Sequence, residues 1–256
     1  MARIMLGLPV GGGFHGPMVD SLVSMLVQNP GGHRFDVQIL TGESLISRAR
    51  NKLAAMLAES DCDSLMMIDS DLSFPPDGVD RLYRHDKPIV GATYPRKMFP
   101  LELLVAAEQD QPPLARGLAR VRYLPTGFLL IRREVFEQLA DESLRYIEFL
   151  KTYMGFFNPL LIRDSEGTPI HLGEDWAFGE RARSRGIETY CDFDLQLVHH
   201  GRYVYSMRRV EDGYPAAAPL FSANQAFRPD RAMQHLEEGL RQYEALHGMV
   251  KGLLPT

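Results

Sequence analysis

The run LMMIDSDLSFPPDG sets Asp69 and Asp71 directly behind four apolar residues and ahead of a stiff Pro75–Pro76 turn. Two carboxylates at the end of a buried strand repel each other and lose hydration, so something must compensate, and a divalent cation is the obvious candidate. Carboxylate oxygens suit the hard cations Mg²⁺ and Mn²⁺, which in turn hold phosphates. GEDWAF puts Glu174 and Asp175 at a predicted helix start, where the dipole favours anions and lowers their pKa. The same placement is also ordinary first-turn charge. LVHHG supplies His199 and His200 at a strand end, where alternation lets only one imidazole face the site. A neutral imidazole there would complete a carboxylate-rich Mn²⁺ site. In PTGFLLI, Thr126 and Gly127 mark a place where backbone can approach a ligand, since glycine has no side chain in the way; a bulge reads the same. GATYPRK adds Tyr94, Arg96 and Lys97 at the border of that region.

These residues need elements to carry them. Residues 3–8 (RIMLGL) form an opening strand closed by Pro9 and a glycine cluster. A helix follows over 16–29, a strand over 34–40, a helix over 44–60 and a third strand over 65–68. Pro76 opens a short helix, and PIVGA at 88–92 is a fourth strand. Strand and helix in alternation predict a mainly parallel sheet covered by helices, with ligands at the carboxyl ends of the strands. Further on, 121–131 reads as two strand pieces around Pro-Thr-Gly, and 132–139 as a helix. Residues 151–172 have no clean period and read as loop. GEDWAFGERARSR is a helix capped by Gly186, with short strands at 187–190 and 195–198. From Pro229 onward an amphipathic helix carries Met233, Leu236, Leu240, Tyr243 and Val250 on one face, suited to packing on the core or to an oligomer contact.

The bulk composition narrows the class. At 256 residues the chain can bury a proper core in one large domain or two small ones. A net charge of −5 argues against attachment to nucleic acid by bulk electrostatics alone, though not against a local basic groove. Two distant cysteines, Cys62 and Cys191, point to a reducing compartment and no cysteine metal site. With no signal-like or membrane-spanning run, the expected location is the cytoplasm.

Taken in order, LMMIDSD, PTGFLLIRREVF, GEDWAF and VHHG resemble the nucleotide-sugar glycosyltransferases of the GT-A fold, in the small bacterial and phage type. The resemblance runs from Arg3 to about Gly201. It implies an α/β fold with a GT-A core over 1–201 and a C-terminal loop and helix over 202–256. By that resemblance Asp69 is the first aspartate of a DxD motif, near the ribose or the metal. Asp71 is its last, a direct ligand of Mn²⁺ or Mg²⁺ and of the diphosphate. Ser70 lies between them on the nucleotide side, and His199 returns to the metal as a third ligand. Asp175 matches the acceptor-side base of inverting members, with Glu174 its support. Pro9 and Val10 lie where the nucleobase is held. Arg48, Arg50 and Asn51 of ISRARN match a helix segment that reaches the nucleotide, and Thr126 and Gly127 border the donor. The implied donor is a UDP-sugar.

The acceptor is a hydroxyl compound, with Tyr94, Lys97, Arg202 and Tyr203 as its candidate contacts. Arg116, Arg120 and Arg122, and Arg202, Arg208 and Arg209 interleaved with Tyr203 and Tyr205, could grip phosphates and stack bases. They could equally neutralise a diphosphate or form surface ion pairs. Phage enzymes of this type glycosylate hydroxymethylcytosine in DNA, which makes DNA one acceptor and a saccharide the other. A nucleotidyltransferase would share the sheet and the aspartates, but VGGGFHG lacks the basic residue its phosphate loop needs. A non-catalytic sugar-nucleotide binder is the third class. No membrane partner is expected, and the chain reads as a monomer or homodimer.

Overall fold

A computed structural model describes residues 1–98, 102–107, 117–141, 143–201 and 204–206. The alternation of strand and helix predicted from the sequence holds through the first half. Strand β1 (Arg3–Val10) leads to helix α1 (Gly16–Gln28), β2 (Arg34–Thr41), α2 (Ile46–Ala58) and β3 (Ser64–Ile68). After a short β4 (Leu72–Ser73) come α3 (Gly78–Arg84), β5 (Ile89–Gly91) and β6 (Ala106–Ala107). The Pro-Thr-Gly break separates β7 (Leu118–Tyr123) from β8 (Phe128–Arg132), and α4 (Arg133–Leu139) follows at once.

With the later strand β13 (Thr189–Asp192), one eight-stranded sheet runs in the order β2-β1-β3-β8-β5-β13-β7-β6. Strands β1, β2, β3, β5 and β13 run one way, and β7 and β8 run against them. The expected mixed, mainly parallel α/β sheet flanked by helices is what the chain forms. Alternate residues on each central strand feed two cores. Leu65 and Met67 of β3 and Leu129 and Ile131 of β8 pack with Leu53 and Leu57 of α2 and Phe136 of α4. Met66, Ile68, Phe128 and Leu130 face the other way, onto Met18 and Met25 of α1 and Val79 and Leu82 of α3. Burial on both faces explains why LMMI reads as an unbroken apolar run rather than an alternating one.

Two expectations need correction. The segment 151–172 is not loop. Strand β9 (Arg145–Glu148) pairs with β10 (Lys151–Met154), and β11 (Leu160–Arg163) with β12 (Pro169–Leu172), in two antiparallel hairpins. They are short and half-exposed, so neither a long apolar run nor a full alternation marks them. The turn of the first hairpin is Phe149–Leu150, both at positive φ (44° and 68°), where Asn-Gly would be the sequence signal. The later strands are also displaced: α5 (Glu174–Ser184) ends at Gly186 (φ 73°) as expected, but β13 spans Thr189–Asp192 and β14 spans Val198–His200. β14 pairs with β4 on one side and β15 (Val204–Ser206) on the other.

The expected C-terminal helix, and Arg116, Arg202, Tyr203, Arg208 and Arg209, lie outside the described residues. Among the described residues no helix is long and apolar enough to cross a membrane. Cys62 and Cys191 are both free and buried.

Candidate functional site

The site forms where β1, β3 and β5 end. In-register pairing of Gly7 with Met67 brings the ends of β1 and β3 level, so Pro9 and Val10 run out beside Asp69 and Ser70. Val10 is buried and Ser70 accepts the His15 amide through its carbonyl at 3.0 Å. The chain then reverses into β4, which pairs with β14: Leu72 is opposite His199 and Ser73 opposite Val198. A two-residue strand thus carries the late histidines to the early aspartates, and the His200 amide donates to the Asp71 carbonyl at 2.8 Å.

The two aspartates are neutralised by different partners. Asp69 accepts Arg50 Nη2 at 3.1 Å, and Arg50 Nη1 donates to Glu174. Arg50 is buried, its side chain 4 % exposed, and it joins helix α2 to the start of α5 through these two carboxylates. Asp71 accepts Lys97 Nζ and faces His199 Nε2 at 3.6 Å. Burial alone would raise the Asp71 carboxyl, but His199 and Lys97 overcome it and bring it down to about 2. The compensation that the sequence demanded comes, in this structure, from the protein's own cations.

A divalent cation finds part of a ligand set here. His199 Nδ1 lies 2.9 Å from the Pro95 carbonyl, which can only accept, so Nδ1 carries the proton. A charged ring points Nε2–H at Asp71, which is how His199 helps to lower that carboxyl, whereas a neutral ring turns an Nε2 lone pair toward it. With its far nitrogen tied to a carbonyl, His199 and the Asp71 carboxylate are a pair of the kind that would hold a divalent cation. Asp69, expected as a third ligand, is turned to Arg50 instead. Among the described residues no three His, Cys, Asp or Glu side chains converge on one point. His200 points away from Asp71 and lies 2.8 Å from Ser73 Oγ, as alternation on β14 requires.

Asp175 is placed differently. It accepts the Trp176 amide at 2.7 Å and its own backbone amide, and among the described residues it has no ion-pair partner. Its carboxyl sits above the usual aspartate range, because it is buried and because Glu174 adds like charge; Arg50 offsets only part of this. The sequence expectation of a lowered value, drawn from the helix dipole, is reversed: desolvation outweighs the dipole.

Gly127 and Tyr94 close the floor. The Gly127 carbonyl accepts the Asp69 amide at 2.8 Å. A Cβ at position 127 would fall 2.1 Å from Tyr94 Oη and 2.6 Å from Asp69 Oδ2, so no side chain fits. Tyr94 is buried with its ring edge-on to His199 at 4.9 Å, and burial next to Asp69 pushes its hydroxyl well above 10. Beside Gly127, Thr126 Oγ1 is buried without a hydrogen-bond partner among the described residues.

Other expected contacts are engaged elsewhere. Asn51 receives the Phe157 amide at 2.9 Å and donates to Asn158 at 3.0 Å, fastening α2 to the chain after the first hairpin. Arg48 pairs with Glu43 at 2.7 Å and lies 3.6 Å from Glu148. Arg96 lies 3.8 Å from Glu102. Arg120 bonds Glu188, and Arg122 reaches Glu180 at 3.8 Å. Sequence reasoning missed Ser73 as the partner of His200 and Arg50 as a link between Asp69 and Glu174. An arginine among buried residues of α2 was the available signal for the second.

No protein-family model matches the sequence, and no curated protein does. Solved structures do. A197 from STIV superposes with a TM-score of 0.50 at 17% identity, over 88% of this chain and 100% of that one. GalNAc-T7 with UDP, GalNAc and Mn²⁺ gives a TM-score of 0.49 at 10% identity, over 78% of this chain and 44% of that one. At these identities the likeness concerns the fold.

Proposed function

We propose that the chain is a cation-assisted glycosyltransferase of GT-A type, moving a sugar from a nucleotide-sugar, a UDP-sugar in preference, to a hydroxyl acceptor. The observation that carries this reading is the meeting of Asp71 and His199 beside Asp69, with unpaired Asp175 held close by through Glu174 and Arg50. Separate acidic groups, one set neutralised by cations and one left free, suit a reaction with a charged leaving group and a proton to remove.

Asp71 and His199 would hold Mn²⁺ or Mg²⁺, which when bound stabilises the charge growing on a departing diphosphate. Pro9 and Val10 border the nucleobase, and Gly127 leaves room for the donor. Lys97 offers its ammonium to phosphate oxygens. In an inverting transfer the acceptor hydroxyl loses its proton to Asp175, and burial that raises this carboxyl makes it the better base. Arg50 bonds Glu174 and Asp69 and holds them in place, so Asp175 is the carboxylate left to accept the proton.

Calorimetric titration of UDP, GDP and CDP with and without Mn²⁺ tests the donor side. Tight, metal-dependent binding of one nucleotide supports the reading and selects the donor base. Its UDP-sugars or equivalents are then offered to simple saccharides and to hydroxymethylated DNA, with transfer read by mass. No binding of any nucleotide removes the glycosyltransferase proposal and leaves only the fold.

A further inference from the structure

The two cations that neutralise the aspartates are not equivalent. Arg50 is 4 % exposed, bonded to two carboxylates and locked between α2 and α5. Lys97 is 33 % exposed and its ammonium rests on Asp71 alone among the described acidic groups. Its stem runs past Gly201, where an added Cβ would meet Cδ at 3.0 Å. Lysine is a compact charge on a flexible stem, so its head can swing to another anion without disturbing the sheet. Arg50 has no such freedom.

Asp71 is therefore claimed twice: by Lys97 on Oδ2 and by the cation that it would hold together with His199. An ammonium beside a divalent ion repels it strongly at contact distances. A diphosphate resolves the conflict by giving Lys97 another anion of higher charge. We infer that Lys97 is a displaceable internal counter-cation, which makes metal binding at Asp71 and His199 conditional on a diphosphate arriving with it. The inference rests on the proposed donor site and adds the order in which that site fills. Without donor, the Lys97–Asp71 pair keeps the site closed to free cation. With donor, the ammonium moves to the phosphates and the carboxylate is released.

The consequence is a coupling between two ligands, and a thermodynamic cycle measures it. Mn²⁺ is titrated calorimetrically into the full chain, alone and with saturating UDP, the direct Mn²⁺–UDP reaction being subtracted. The same two titrations are made on Lys97→Met, and its thermal midpoint confirms folding. In the unaltered protein UDP should tighten Mn²⁺ about tenfold or more, within the usual 5–150-fold range of site–site coupling. In Lys97→Met, Mn²⁺ alone should bind about tenfold more tightly than in the parent, and UDP should tighten it by a smaller factor than in the parent. Unchanged or weaker Mn²⁺ binding in Lys97→Met without UDP overturns the inference, because removal of a competitor cannot leave the affinity where it was. If UDP still binds in that case, the donor-site reading stands while the role of Lys97 falls. If neither protein takes Mn²⁺ under any condition, both the inference and the cation ligands fall, and UDP binding decides whether the nucleotide site survives.

Discussion

Two aspartates, half-buried Asp175 and fully buried Asp192, show how the same side chain is used in opposite ways. Asp192 is fully buried at the end of β13 and saturated. Arg81 donates at 2.6 and 2.8 Å, His85 Nε2 lies at 2.7 Å, and the amides of Asp194 and Leu195 donate to its Oδ1. Burial raises such a carboxyl, but the Arg81 and His85 bonds more than reverse this and its pKa is lowered. Asp175 is half-buried, yet among the described residues it receives only backbone amides, from Trp176 and from itself, and its pKa is raised. A carboxylate with every lone pair taken holds elements together. One kept short of partners retains the capacity to take up a proton. The contrast sets a strand-end carboxylate tied to its neighbours against one at a helix start that is not.

Each arm of that comparison can be broken. Asp175→Asn should reduce sugar transfer by roughly 10²–10⁴-fold while nucleotide binding and the thermal midpoint hold, because only the proton acceptor is lost. Near-normal transfer by that variant would remove Asp175 as the base. Asp192→Ala should do the reverse, costing on the order of 3 kcal/mol of stability by leaving Arg81 and His85 without their buried partner. Urea melts read this directly, and a loss below about 0.5 kcal/mol, the usual range for surface changes, would mean that the cluster is not structural. Gly127→Ala drives a Cβ into Tyr94 and Asp69, so nucleotide affinity should fall about tenfold or more with a loss of about 1–3 kcal/mol from overpacking. Wild-type affinity in that variant would place the donor away from Gly127.

The pH dependence sharpens the same distinction. Transfer should rise with pH through the folded pKa of Asp175, so the acid limb of its profile should lie above the usual aspartate value. A limb at or below 3.8 would point to another base. The smallest effect belongs to Glu43. Burial alone would raise it, but its bonds with Lys52 and Arg48 lower it from 4.5 to about 2. A depressed folded pKa contributes stability above the unfolded value and loses it as pH falls through the folded one. Stability should therefore decline between about pH 4.5 and 2, and Glu43→Gln should flatten that part of the curve. An unchanged acid limb in urea melts would assign the decline to other carboxylates.

Much of this was readable from pattern. The apolar run of β3 and the residue types after it determine that carboxylates stand at a strand end, because only a doubly buried strand needs LMMI unbroken. The strand–helix alternation determines the layered α/β sheet, and Gly186 determines where α5 stops, since a left-handed cap costs glycine least. The half-exposed hairpins over 145–172 were not legible, since their stability comes from pairing across the chain and their Phe149–Leu150 turn carries no turn signal. Nor could sequence say which cation answers which aspartate. Arg50 and Asp69 are 19 positions apart, Arg50 and Glu174 are 124 apart, and Lys97 is 26 from Asp71. The direction of the Asp175 shift followed the same rule: helix position predicted one sign and burial imposed the other. Residue types decided what charges the site would contain. Only the folded sheet decided which of them are neutralised, which is exchangeable and which is left free, because pairing of charges depends on distance through space and on exclusion of water, and neither is written along the chain.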